Sequence, residues 1–297
     1  MSTLDFRHEG AVAHVWLNRP ELRNAFDAGT IADLTQCFRQ LAQTPGLRVV
    51  VLGAHGKAFC AGADLNWMRD MAGYSWDENH ADATRLADML WAIASCPVPV
   101  IARVQGDCYG GGVGLVSACD TAIGTHAAGF ALSEARLGLA PSTISPYVLR
   151  AIGERAARRY FLTAERFDAA QAHALGLLHE VVDADALDER VHTLVQAMVS
   201  NGPQAVRAGK QLIGDIAEAT DLEKSSVRNV LEQLSQIVAD ALDNDSEITL
   251  PGIGKLKVSE RPARTGRNPQ TGKAIEIAAK KVIKLVPAKA LSDSLNS

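Results

Sequence analysis

A chain of 297 residues with 47% apolar and 22% charged content can bury a large core, and its length predicts two structural units. No apolar run approaches the roughly eighteen residues of a membrane span, and MSTLDFRHEG lacks the apolar segment of a secretory leader, so a cytoplasmic protein with no membrane partner is expected. Charge is uneven: from Asn244 onward ten Lys or Arg face five Asp or Glu, a net of +5 against −9 for residues 1–243, which points to a second domain with an anionic partner.

In chain order, AVAHVWL at 11–17 reads as a strand, NRPELRNAFD as a turn, and Ala28 to Ala42 as a helix. RVVVLGA at 48–54 is a second strand, running into the loop HGKAFCAGADL. A helix over Ala81 to Ala94 leads to the apolar, β-branched run Val98 to Val104, which reads as a strand buried on both faces. Polar loop follows from Gln105 to Tyr109, then a helix ending near Ala118, then TAIGT and GFALSE. Strands alternating with amphipathic helices predict the α/β class. The five cysteines, Cys37, Cys60, Cys96, Cys108 and Cys119, are odd in number and show no CxxC spacing, so they read as buried small hydrophobes rather than a disulfide framework or a metal site.

Gly110, Gly111 and Gly112 stand where the strand at 98–104 gives way to the next helix. Backbone N–H groups at such a helix N-terminus can approach a ligand with no Cβ in the way, and the helix dipole favours negative charge there. That suits an anion site or an oxyanion hole; three glycines also suit a tight turn or close helix packing.

Three ordered motifs, GKAFCAGADL at 56–65, YGGGVGLVSACD at 109–120 and FALSEARLGLAP at 130–141, resemble the enoyl-CoA hydratase/isomerase (crotonase) family. The resemblance runs to about residue 207 and includes TAERFDAAQAHALGLLHEVV at 163–182; the closest-looking branch is the methylglutaconyl-CoA hydratase group. It implies a spiral of ββα turns, assembly as trimers or hexamers, and an acyl-CoA substrate with no further cofactor. By motif, the N–H groups of Ala63 and Gly111 would hold the thioester oxygen. Each such donor is worth about 3 kcal/mol of barrier in known oxyanion holes. Glu134 matches the family's catalytic glutamate and would move the proton between water and C2. Arg23 and Lys57 would face CoA phosphates, while Ala25, Ala61, Asp64 and Leu65 would border the adenine and pantetheine path. The usual hydratase carries another glutamate where this chain has Gly114. A hydratase of short or branched enoyl-CoA remains the first expectation, and a double-bond isomerase the alternative.

Residues 208–297 change character. RTGRNPQTGK at 264–273, with the flanking sequence, resembles the HU/IHF family of DNA-bending proteins, which implies a small α+β domain with a β-ribbon arm. Thr220 to Glu223 forms a T-x-x-E capping box, and Val227, Leu231, Leu234, Val238 and Ala241 recur at 4, 3, 4 and 3 spacing with Val230 and Ile237 beside them. A helix so patterned needs a partner, and the resemblance supplies one as an intertwined dimer. Strands ITL and KLKV flank PGIG, and the arm carries Arg261, Arg264, Arg267, Asn268, Pro269 and Lys273, with Pro269 suited to wedge between base pairs of duplex DNA. The chain thus reads as a fusion of an acyl-CoA enzyme over 1–207 and a DNA-binding module over 208–297; a DNA-binding protein with an inactive enzyme half is the other reading.

Overall fold

The computed structural model describes residues 3–71, 73–220, 224–244, 247–250, 253–267, 274–289 and 293. They form two compact units, Met1–Ser225 and Ser226–Ser297.

The first unit opens with a hairpin, β1 (Leu4–Glu9) and β2 (Val12–Leu17), and continues through α1 (Ala28–Leu41) to β3 (Val49–Ala54). Next come α2 (Leu65–Met71), α3 (Trp76–Ala94), β4 (Val100–Val104), β5 (Cys108–Tyr109), α4 (Gly111–Ala118), β6 (Thr121–Thr125) and β7 (Gly129–Ala131). After a 3-10 turn at Ser133–Leu137 the chain forms α5 (Ser145–Thr163), β8 (Phe167–Asp168), α6 (Ala169–Ala174), β9 (Glu180–Val182), α7 (Leu187–Ser200) and α8 (Pro203–Thr220). The main sheet has the order β1-β2-β3-β4-β6-β9 and is parallel apart from the β1/β2 pair, while β5, β7 and β8 make a smaller sheet.

The unbroken VVVL run of β3 follows from its position: every β3 residue is buried, because helices cover both faces of a parallel sheet. Val50, Leu52, Val100 and Ala102 enter the main core with α1, α3 and α4, whereas Val49, Val51, Ile101 and Ile123 meet Leu187, Val191 and Val195 of α7. Each βα crossover returns the chain to the same edge, so the C-terminal ends of β3 and β4 both open into the loops that carry AGAD and the three glycines. At the other end, α8 is tied down by Arg207 donating to the Leu47 carbonyl and by Lys210 bound to the Val98 carbonyl and to Asp120 at 2.6 Å.

Two elements depart from the sequence expectation. β1 is a strand although DFRHE is polar and Phe6 is exposed; it is an edge strand, made by pairing with β2 rather than by an apolar run. α3 begins at Trp76 rather than near residue 81, because Ser75 accepts the Glu78 N–H and Glu78 returns to the Ser75 N–H, a complete capping box. Three of the cysteines, Cys60, Cys96 and Cys108, are buried as expected of small hydrophobes, while Cys37 and Cys119 are half-buried; burial pushes the Cys37 thiol up to about 11 and the Cys60 thiol to about 12.

The second unit contains most of α9 (Lys224–Asp243), the sheet of β10 (Ile248–Leu250), β11 (Gly254–Arg261) and β14 (Lys280–Pro287), and the hairpin of β12 (Arg264–Arg267) with β13 (Ala274–Ile277). The helix α8 runs to Thr220, whose side chain, like Glu223, the other half of the expected capping box, lies outside the described residues.

Candidate active site and basic ribbon

Two turns meet at the top of the main sheet. Phe26 donates to the Gly62 carbonyl and Asp64 donates to the Phe26 carbonyl, each at 2.9 Å, which fixes Ala63 opposite Phe26 in an isolated bridge. A peptide group is planar and trans, so its C=O and N–H point in opposite directions. With the Gly62 carbonyl turned toward Phe26, the Ala63 N–H is turned away from it. The second turn obeys the same rule. The Gly110 carbonyl accepts from Val113 at 2.9 Å and from Gly114 at 3.3 Å, along α4, so the Gly111 N–H points out of the helix N-terminus. Among the described residues, neither the Ala63 nor the Gly111 N–H has a hydrogen-bond acceptor.

Both turns depend on glycine. Gly62 has φ of +89° and Gly110 has φ of +51°, conformations in which a side chain is strained. A Cβ on Gly62 would lie 3.0 Å from the Tyr109 carbonyl oxygen and 3.6 Å from the Gly111 nitrogen, which shows how closely the turns approach.

Glu134 arrives from the smaller sheet. Parallel pairing sets Tyr109 against Ala131, and Gly110 donates to the Ala131 carbonyl at 2.8 Å, so the 3-10 turn carrying Glu134 starts beside the glycines. Its Oε1 would be 3.1 Å from a Cβ on Gly110, and its Oε2 is buried with no hydrogen-bond partner among the described residues. Burial raises its pKa from the ordinary glutamate value, as expected for a carboxylate removed from water without a cation beside it. A carboxylate with one buried, unpartnered oxygen, beside turns that carry two unused N–H donors, can pass a proton to or from a substrate whose oxygen those donors hold.

Gly114 is a packing position here. A Cβ at this point would meet Ile144 Cγ2 at 2.5 Å and Ile144 Cβ at 2.9 Å, so the space of the family's second glutamate is filled. Gly114→Ala is expected to lower stability by about 1–3 kcal/mol through overpacking, visible as a lower melting temperature. An unchanged melt would show that Ile144 yields readily.

The surrounding residues divide by role. Arg23 and Lys57 are exposed, as a phosphate contact requires, and Leu65 is 63% exposed. Ala25 is buried and Ala61 half-buried, with the Ala61 N–H donating to the Arg23 carbonyl. Asp64 is committed within the protein: one oxygen pairs with Arg19 at 3.1 Å and the other caps α2 through the Asn66 N–H at 2.8 Å. The sequence reading missed Arg19 and Asn24, which join the 19–27 turn to the 55–65 loop. Arg19 bonds the Ala25 carbonyl, Asp27 and Asp64; the buried Asn24 bonds the carbonyls of His55 and Ala58. The positive φ of Asn24, +55°, is a conformation asparagine tolerates, and its place in a turn-forming stretch four residues after Pro20 was the available signal.

In the second unit, antiparallel register sets Lys257 against Lys284 and Arg261 against Lys280. Opposed residues share a face, so four exposed cations line one side of the β11/β14 ribbon, an arrangement of like charges that is unfavourable without an anion. Of these only Arg261 was singled out from sequence. The other side bears Val258 and Leu256 with Ile283, 64% exposed, and Leu285, 45% exposed. Arg264 and Arg267 lie at the two ends of β12, paired with Ile277 and Ala274; Asn268, Pro269 and Lys273 lie outside the described residues.

The family model described as enoyl-CoA hydratase/isomerase matches residues 7–241. The chain belongs to that family. A crystal structure of an enoyl-CoA hydratase from Shewanella pealeana superposes with a TM-score of 0.71 at 39% identity, covering 80% of this chain and 88% of that one. The enoyl-CoA hydratase ACTT6 of Alternaria alternata is 32% identical over 76% of this chain and 74% of its own length. The mitochondrial Delta(3,5)-Delta(2,4)-dienoyl-CoA isomerase of Mus musculus is 35% identical over 67% of this chain and 64% of its own length. The first unit is therefore the crotonase-type spiral, and the protein is an enzyme of enoyl-CoA hydratase/isomerase type. A second family model, described as bacterial DNA-binding protein, matches residues 208–296, overlapping the first over 208–241, so the chain carries both families.

Proposed function

We propose that the first unit adds water to a short or branched α,β-unsaturated acyl-CoA, of the methylglutaconyl kind, and that the second unit binds duplex DNA. The observation that carries the enzymatic reading is the buried, unpartnered Glu134 Oε2 beside the turns that carry the free N–H groups of Ala63 and Gly111. The thioester oxygen sits between the two N–H groups. Glu134 takes a proton from water as the water oxygen bonds to C3; the π electrons move through C2 onto the thioester oxygen, where the two donors hold the charge. The enolate then collapses, C2 takes the proton back from Glu134, and the net change is one water added. With Gly114 packed against Ile144, one carboxylate performs both transfers. Exposed Arg23 and Lys57 face the CoA phosphates, and Ala25, Ala61 and Leu65 border its path, while Asp64 holds that border in shape through Arg19.

The same single carboxylate favours a second reading, migration of the double bond, in which Glu134 removes a proton at one carbon and returns it at another. Incubating the full chain with 3-methylglutaconyl-CoA and with crotonyl-CoA separates them. Hydration raises the product mass by one water; an unchanged mass with a displaced double bond moves the assignment to isomerase.

For the second unit, the cationic face of β11/β14 leads to the arm with Arg264 and Arg267, giving phosphate contacts without a set of base-reading side chains. Val230, Leu234 and Ile237 of α9 are 60%, 41% and 55% exposed, an apolar face that a second copy of the chain covers in a dimer. A spiral that favours threefold assembly and a module that favours twofold assembly then compete within one oligomer.

A further inference from the structure

We propose that Cys60 is a positioning residue for the thioester-oxygen site, holding the Ala63 and Gly111 turns in register; the inference rests on the hydratase reading above. Cys60 lies at the loop end of AFC, in an isolated parallel bridge with Cys108. Three of its atoms act on the two turns at once. Its Sγ accepts the Gly62 N–H at 3.4 Å, one residue before the Ala63 donor. Its carbonyl accepts the Tyr109 N–H at 2.9 Å, two residues before the Gly111 donor. Its side chain fills the space under Gly112, where a Cβ would meet the Cys60 carbonyl oxygen at 2.6 Å, its Cβ at 2.9 Å and its Sγ at 3.2 Å.

The peptide joining Gly62 to Ala63 carries the donor, and Gly62, at φ +89° with no side chain, has little of its own to fix that peptide. The Phe26 N–H holds its carbonyl from one side, and the thiol holds the preceding N–H from the other. The second turn is pressed against the same residue, so a shift of Cys60 moves both donors together. The thiol is buried and uncharged at neutral pH, which makes its action one of geometry rather than of field. A donor must sit within a fraction of an ångström of its ideal position, about 2.7–3.1 Å from the developing oxyanion, to be effective, so a small displacement matters more to the transition state than to substrate binding.

The inference predicts that Cys60→Ala lowers kcat about tenfold or more with KM little changed, while Cys60→Ser, which keeps an acceptor at this place, retains most of the rate. Cys96→Ala removes an equally buried thiol away from the turns and serves as the control for lost packing. The direct readout is the infrared carbonyl stretch of bound isovaleryl-CoA, isotope-labelled at the thioester carbon and unable to take up water. The wild type, Cys60→Ser and Cys96→Ala lower this frequency to the same degree, and Cys60→Ala lowers it less. If Cys60→Ala does not fold, Cys60→Val restores the volume without an acceptor and carries the same expectation. A full frequency shift and normal kcat in the folded Ala or Val variant overturn the role of Cys60. No shift in the wild type overturns the thioester-oxygen site itself, a separate result.

Discussion

Glu134→Gln is expected to lower the turnover of enoyl-CoA at least about a hundredfold, because Asp64, the other carboxylate at the two turns, is committed to Arg19 and the Asn66 N–H. The substitution keeps the shape and removes the base. Gly114, the place of the family's second glutamate, is packed against Ile144, so no neighbouring group on α4 takes over the proton. A near-normal variant would remove Glu134 from the mechanism. The same substitution acts on stability in the opposite direction. Burial raises the folded pKa of Glu134 above its unfolded value, so the folded state binds more protons between the two. Stability therefore falls as pH rises from the ordinary glutamate value through the raised one. Above that window Glu134→Gln melts at a higher temperature than the wild type, and below it, where Glu134 is protonated in both states, the difference disappears. A variant less stable at alkaline pH would show that the unpartnered Oε2 is not a strained carboxylate.

Raising salt from about 50 to 200 mM weakens duplex binding about a thousandfold if six or so phosphates are contacted, since each neutralised phosphate releases a condensed counterion. The opposed pairs Lys257/Lys284 and Arg261/Lys280 make the expectation specific. Arg267→Ala and Lys284→Ala each lower both affinity and the log-log salt slope, whereas Pro269→Ala reduces bending more than affinity. If two arms clasp one duplex, as proposed, binding is expected to appear with dimers or larger species in sedimentation. A salt-independent affinity, or a monodisperse monomer that bends DNA, contradicts this account of residues 226–297.

Much of the candidate site was legible because the turns that form it are written in local backbone. Three glycines after a strand, and a glycine two residues before Asp64, permit close approach of backbone to a ligand, and the ordered motifs placed Ala63, Gly111 and Glu134 in one family pattern. Less legible was everything set by contact across the fold. Arg19 and Arg23 stand four residues apart in the same turn, and only the folded loop shows that Arg19 ties down Asp64 while Arg23 stays exposed. The filled space at Gly114 depends on Ile144, thirty residues away, and nothing in YGGGVGLV announces it. β1 was missed because its polar residues form a strand only through β2, and the early start of α3 because Ser75 and Glu78 went unread as a capping box. In the second unit, the cationic face needed the β11/β14 register, which brings together lysines more than twenty residues apart.

The reaction proposed for the first unit is the addition of water across the double bond by one carboxylate and two backbone donors. Its most direct test is product mass after incubating crotonyl-CoA in oxygen-labelled water with the full chain and with Glu134→Gln. The wild type is expected to give a product heavier by one labelled water, with the label at C3, and the variant almost none at the same time. A wild-type product of unchanged mass, with its double bond moved, or a variant that incorporates the label as fast as the wild type, would contradict it.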